Sequence, residues 1–229
     1  MANCYNGTTY NVNSKLYKWN GNTFEFYQSL AAYGAMDWEA FSIEGAYYLA
    51  VANFFNSEDS GYNTDSLIYK WDNTTSNFVP YQSIPTNGAF DWEYFTIGDD
   101  RFLAVANYRN KSTCNINSRV YKWNGTAFDT AHAQDIATNG ALHWTFFTIG
   151  ADHFLAVANS NSTSTSTYNI NSRIYWWNGT DFTFFQAVPT HGAYAWKYFF
   201  IGSEHFLAVA DYSDDSGLNV LSRIYKIQY

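Results

Sequence analysis

Asn87-Gly88-Ala89-Phe90-Asp91-Trp92-Glu93-Tyr94-Phe95-Thr96-Ile97-Gly98 and, after Asp99-Asp100-Arg101, Phe102-Leu103-Ala104-Val105-Ala106-Asn107 decide the fold. The stretch reads as a turn, an aromatic strand, a second turn and a returning strand. Glycine starts it because a turn needs φ > 0, which glycine supplies without a Cβ clash. The same block occurs four times. Trp38, Trp92, Trp144 and Trp196 follow one another at steps of 54, 52 and 52 residues. Each stands four residues after a glycine (Gly34, Gly88, Gly140, Gly192) and eleven before the leucine of a Leu-Ala-Val. A period near 50 residues made of short aromatic segments is the mark of a propeller-like array.

Working outward, residues 87–136 give one full period. Strand A is Phe90–Ile97, and strand B is Arg101–Tyr108. Strand C is Ser118–Trp123, and strand D runs from Phe128 to Ile136 after the Asn124-Gly125 hairpin. Four antiparallel strands make one blade, with the aromatic strand A innermost. Gln28, Gln82, Gln134 and Gln186 each precede the next Leu-Ala-Val by 21 residues, so the D–A–B stretch is a fixed scaffold. Length varies in the B-to-C loop, in the C-to-D hairpin at Asp72–Asn77 and near Ala131–Ala133, where a bulge in strand D is expected. The B-to-C loops (Phe54–Asp65, Tyr108–Asn117, Ser160–Asn171, Tyr212–Leu221) share a face with the D-to-A turns. That face is the candidate binding surface, because loops on a rigid scaffold carry function.

The chain is all-β. Its 17 expected strands run C–D, three sets A–D, then A–B–C: four blades and one spare strand. One domain covers residues 1–229, with copies near 2–51, 52–105, 106–157 and 158–209 and a partial copy at 210–229. Three arrangements fit. The N-terminal strand D closes the last blade by overlap, a second copy completes the ring, or the chain belongs to something longer. An arc with open sheet edges invites pairing with another chain.

Of 229 residues, 21% are aromatic and 14% charged, and the net charge is −8. Lys and Arg do not cluster, which argues against a nucleic-acid or anionic-membrane partner. No apolar run reaches the length of a membrane span. Met1–Gly7 lacks the basic and apolar regions of a signal peptide. Six Asn-x-Ser/Thr sequons (Asn6, Asn73, Asn110, Asn124, Asn161, Asn178) point towards a secreted origin, although Asn, Ser and Thr are simply frequent in these loops. Cys4 and Cys114 fall in loops of different repeats and read as free thiols by default, with a disulfide between them the alternative.

The blocks resemble the EPTP repeat, also called the epitempin or EAR repeat. The matching stretches are Gly88–Phe95, Phe102–Asn107 and Ser118-Arg119-Val120-Tyr121-Lys122-Trp123, and the resemblance covers essentially the whole chain. It implies a secreted β-propeller that recognises cell-surface proteins rather than catalysing a reaction. It implies, in some members, a calcium ion held by aspartates in the central channel. It also implies seven blades, from which this chain departs.

Candidate chemistry is sparse. Asp37, Asp91 and His143 share one repeat position, with Ala195 in the fourth copy. Carboxylates converging on an axis would bind a hard cation such as Ca²⁺. The plainer reading has these side chains capping the preceding Gly-Ala turn. Trp38, Trp92, Trp144 and Trp196 offer faces for stacking on sugar rings, or they pack between blades. The five histidines show no metal-ligand spacing. No nucleophile elbow, phosphate-cradling loop or His-Glu-x-x-His motif is present, so no enzymatic activity and no required cofactor is expected. The reading is a non-enzymatic module that binds a cell-surface protein or glycoprotein through its loop face. A multivalent lectin and a self-assembling structural protein are the alternatives.

Overall fold

A computed structural model describes residues 1–58, 61–218 and 220–228 of the 229. Residues 59, 60 and 219, which fall within two of the expected B-to-C loops, lie outside the described residues. Among the described residues, seventeen strands follow one another in five antiparallel sheets. The first sheet pairs β1 (Ser14–Trp19) with β2 (Phe24–Leu30). Three four-stranded sheets follow in meander order. They are β3 (Ala35–Ile43), β4 (Ala46–Asn53), β5 (Asp65–Asp72) and β6 (Asn77–Pro85); then β7 (Ala89–Ile97), β8 (Asp100–Asn107), β9 (Asn117–Lys122) and β10 (Gln134–Ala137); then β11 (Ala141–Ile149), β12 (Asp152–Asn159), β13 (Asn169–Trp177) and β14 (Phe182–His191). The last sheet has β15 (Ala193–Ile201), β16 (Glu204–Asp211) and β17 (Arg223–Ile227). The expected order C–D, three A–D sets, A–B–C is therefore the observed one.

Sheets pack on one another through their first strands, β3 on β7, β7 on β11 and β11 on β15. The blocks of core between them are shared by neighbours. Trp92 sits with Phe41, Ala52 and Ile68 of the sheet before it, Trp144 with Phe95, Ala104 and Val120, and Trp196 with Phe147, Ala156 and Ile174. This is blade-on-blade stacking with strand A innermost. Phe90 of β7 and Tyr194 of β15, two sheets apart, touch with ring centroids 6.0 Å apart, so the arc curves tightly about a narrow axis.

One polar arrangement closes the loop end of each sheet. Asn53, Asn107 and Asn159 end strand B, and each accepts the amide of the residue before the turn glycine: Tyr33, Asn87 and Asn139, at 2.9–3.0 Å. Their own amides donate to the carbonyls of Asp65, Asn117 and Asn171 at the start of strand C. Asp211 does the first of these in the last sheet, accepting from His191. The turn capping expected of Asp37 and Asp91 is thus done by the strand-B asparagines. Gly192 shows why the turn needs glycine. Its φ is +53°, and a Cβ there would lie 2.7 Å from the Ser213 carbonyl oxygen.

Two expectations change. Strand D of the third sheet is broken rather than bulged. Asp129 turns the chain by accepting the amides of Ala131 and His132, and β10 starts only at Gln134. Closure by overlap is not the observed arrangement either, because β2 pairs with β1 and, among the described residues, no ladder joins it to β17.

Candidate functional site

The four repeat tryptophans occupy unequal environments. Trp92, Trp144 and Trp196 are buried, and each indole Nε1 donates to a strand-B carbonyl of the preceding sheet (Val51, Val105, Val157) at 2.9–3.0 Å. No ring face is left for a ligand. Of the two readings, inter-blade packing is the one that Trp92, Trp144 and Trp196 fit. Burial of an aromatic side chain drives that packing, and the indole N–H must find an acceptor once buried. Trp38 is half-buried, tilts against Tyr69, and its Nε1 has no partner among the described residues.

The axial residues follow the same logic. Asp37 Oδ2 accepts the Trp92 amide at 3.4 Å, and Asp91 Oδ2 accepts the Trp144 amide at 2.8 Å. Two residues on, Glu39 Oε1 accepts from Tyr94 N at 3.2 Å and Glu93 Oε1 from Phe146 N at 2.8 Å. These carboxylates pin each inner strand to the next one. In the third copy Thr145 Oγ1 donates instead to the Trp196 carbonyl at 2.9 Å. Burial pushes the Asp37 and Glu39 carboxyls up, drives Asp91 well up, and takes Glu93 up to about 7; repulsion from neighbouring carboxylates adds to this at Glu39, Asp91 and Glu93. Burial, with Lys197 nearby, takes His143 down to about 4, so its ring is neutral at pH 7. Asp37 and Asp91 each spend one carboxylate oxygen on a main-chain amide of the next inner strand. Among the described residues no group of three or more His, Cys, Asp or Glu could hold a metal ion. A neutral imidazole also replaces the third oxygen donor that Ca²⁺ prefers.

The loop face holds what the spacing argument missed. Phe54 directly follows strand B of the second sheet and contacts Tyr10, Tyr62, Phe90 and Tyr108, with centroids 5.2–6.4 Å apart. Phe90 continues to Tyr194, and Tyr194 to Tyr212 at 6.4 Å. The network crosses the mouth of the axis from one end of the arc to the other. Tyr194 and Tyr212 are exposed, and the others are half-buried. The Arg109 guanidinium lies 4.8 Å above the Tyr62 ring, adding a cation to the rim. A sequence signal existed. The residue after the strand-B Asn or Asp is Phe54, Tyr108, Ser160 and Tyr212, aromatic in three copies of four.

Other candidates are structural. Cys4 and Cys114 are free, and Cys114 is buried with its thiol against the Asn161 carbonyl at 3.3 Å. Asn124 and Asn178 cap their own hairpins, accepting the amides two and three residues on.

The sheets and their shared cores define a β-propeller-type array whose one elaborated surface is the aromatic loop face. Models of the EPTP domain match residues 23–72, 77–124, 131–178 and 181–228, and the chain belongs to the EPTP family. Each matched unit runs D–A–B–C, so each of the three four-stranded sheets takes its strand D from the next unit. The chain is 41% identical, over 94% of its length, to the thrombospondin-type laminin G domain and EAR repeat-containing protein of Mus musculus. It is 28% identical over 87% to leucine-rich repeat LGI family member 3 of Macaca fascicularis. It spans 40% and 34% of the lengths of these two relatives. A solved GH43 β-xylosidase/α-arabinofuranosidase from a compost metagenome, in complex with xylotriose, superposes with a TM-score of 0.50 at 8% identity. That match covers 76% of this chain and 69% of the enzyme and shows the propeller fold alone. No helix among the described residues is long and apolar enough to cross a membrane, which leaves β-barrels aside.

Proposed function

We propose that this chain is a non-enzymatic recognition module that holds a cell-surface protein on its loop face, outside the cell. The supporting observation is the aromatic network from Phe54 through Phe90 and Tyr194 to Tyr212 at the mouth of the axis. Protein interfaces draw most of their energy from a few aromatic anchors with a polar rim. Here a rigid scaffold presents the rings, and Arg109 with the Asn- and Ser-rich loops forms the rim. Asp91 and Glu93 each accept a main-chain amide of the next inner strand, which favours a packing role for these carboxylates over acid–base chemistry. Sequons at exposed hairpin tips, Asn124 and Asn178, suit an extracellular setting.

The test is binding of the fluorescently labelled chain to intact cells, with Tyr194→Ser/Tyr212→Ser as the variant. Both side chains are exposed, so the fold should survive. The proposal expects at least a tenfold loss of binding, and abolition by surface proteolysis of the cells. Binding unchanged in the variant would reject the loop face. Binding that resists proteolysis but falls after glycosidase treatment would favour the lectin reading.

A further inference from the structure

The sequons do not share one environment. Asn124 and Asn178 open the C-to-D hairpins of the third and fourth sheets, Asn124-Gly125-Thr126-Ala127 and Asn178-Gly179-Thr180-Asp181. Each donates its own amide to the carbonyl of the fourth hairpin residue, Ala127 or Asp181, at 3.0 Å. Each Oδ1 accepts the amides two and three residues on, at 2.9–3.0 Å. The carbonyl half of the side-chain amide is thereby fixed on the turn, which leaves Nδ2 on the solvent side. Both asparagines are exposed, and among the described residues neither Nδ2 donates to a protein acceptor. Asn73 reaches the same state in the longer hairpin of the second sheet. Its Oδ1 accepts the Trp71 indole N–H at 3.1 Å, and the residue is exposed.

Asn161 is the opposite case. Its Oδ1 is buried, and a Cβ on Gly140 would lie 2.3 Å from that oxygen. The side chain is wedged against the D-to-A turn. The rest of its sequon is engaged as well. Ser162 is buried, and the Thr163 hydroxyl pairs with that of Thr113 at 2.7 Å and accepts the Cys114 amide at 3.0 Å. A sugar on Asn161 would have to pull this side chain away from Gly140.

We propose that Asn73, Asn124 and Asn178 are attachment sites for N-linked glycans and that Asn161 stays bare. Nδ2 bonds to the anomeric carbon of an N-acetylhexosamine at the head of a lipid-linked diphosphate oligosaccharide. The bond from that carbon to the diphosphate oxygen breaks, the lipid diphosphate leaves with the electron pair, and Nδ2 loses one proton. The sequon supplies the acceptor. The fold decides which acceptors carry a sugar in the finished molecule, because only an exposed Nδ2 with no protein partner can do so without breaking native contacts. All three sites lie between strands C and D, at the end of the sheets that also holds the A-to-B hairpins. The B-to-C loops and D-to-A turns are at the other end. The three glycans therefore cover the face opposite the aromatic loop network. Asn6 and Asn110 stand on the loop face and lie outside this set. The proposal shares only the extracellular setting with the recognition reading and uses none of its residues.

The test is a glycan map of the full chain secreted by cultured animal cells behind a cleavable leader. Enzymatic release of N-glycans in heavy-oxygen water turns each occupied asparagine into a labelled aspartate, which peptide mass spectrometry locates. The proposal expects label at 73, 124 and 178 and unmodified asparagine at 161 in the same molecules. Thr126→Ala and Thr180→Ala delete the sequon hydroxyl and keep the main-chain amides of the turn. Each should remove one mobility step on a gel, with secretion unchanged. An empty site at 73, 124 or 178 in the secreted, folded chain, or a sugar on Asn161, would overturn the proposal. Cell binding is a separate readout, so the failure of either reading is told apart from the failure of the other.

Discussion

The middle of the arc and its N-terminal end carry the same residues with different fates. In the middle, Trp144 is buried and its indole N–H is satisfied by Val105, Phe182 fills the Phe95 slot, and Gln134 clamps Phe182. At the end, Trp38 is half-buried with an unpartnered Nε1, and Phe24 faces outward. Identical side chains are thus core or surface according to whether a preceding blade stands beside them. The repeat residues are interface residues, and a blade is completed by its neighbours, as expected where stability is a sum of repeat and nearest-neighbour terms.

The largest contrast should come from phenylalanine. Phe182→Ala empties a filled slot and should cost about 3–5 kcal/mol, the usual range for such a truncation. Phe24→Ala should cost below about 1 kcal/mol, since the ring is already wet. Urea unfolding of each variant at low protein concentration measures both, and equal costs would break the comparison.

Electrostatics along the axis sharpens it next. Glu93 is raised to about 7 by burial first and by Glu39 and Asp37 after that. A carboxyl raised in the folded state stabilises fully below its unfolded pKa near 4.5, and that contribution is lost as pH climbs through about 7. Glu93→Gln keeps an acceptor for the Phe146 amide and removes the charge. It should gain on the order of 2–3 kcal/mol at pH 8 and almost nothing at pH 4. His143 has the opposite sign. Depressed to about 4, it contributes stability above pH 6.5 that is lost as pH falls towards 4. Melting temperatures of Glu93→Gln and His143→Gln from pH 4 to 8 should therefore diverge from the parent at opposite ends.

The smallest effect concerns the clamps. Gln134→Ala orphans the Phe182 amide and carbonyl and should cost about 1–2 kcal/mol, whereas Gln186→Ala in dilute protein should fall within about 0.5 kcal/mol of the parent. Chemical denaturation of the pair separates the two.

Much of this architecture was legible before any coordinates. The fixed 21-residue spacing from glutamine to Leu-Ala-Val marked the D–A–B scaffold, and the observed strand order is the expected one. Period and spacing place a residue on a strand but do not say which neighbour its side chain meets. Spacing therefore offers Asp37 and Asp91 to a channel cation but does not show that one oxygen of each accepts an amide of the next strand. For the same reason the sequence leaves both sugar stacking and inter-blade packing open for the tryptophans. The loop-face rings escaped because Phe54, Phe90, Tyr194 and Tyr212 are scattered over separate repeats and meet only when the arc curves. The break in strand D at Asp129 escaped because it depends on a local carboxylate turn rather than on the period.

The most direct test is urea unfolding of Trp144→Phe beside Trp38→Phe. Phenylalanine keeps an aromatic ring but strands the Val105 carbonyl at the first position and removes no hydrogen bond at the second. The account predicts a loss of about 2 kcal/mol or more for Trp144→Phe and below about 1 for Trp38→Phe. Equal losses, or a larger one at Trp38, would contradict the claim that each blade is completed by the one before it.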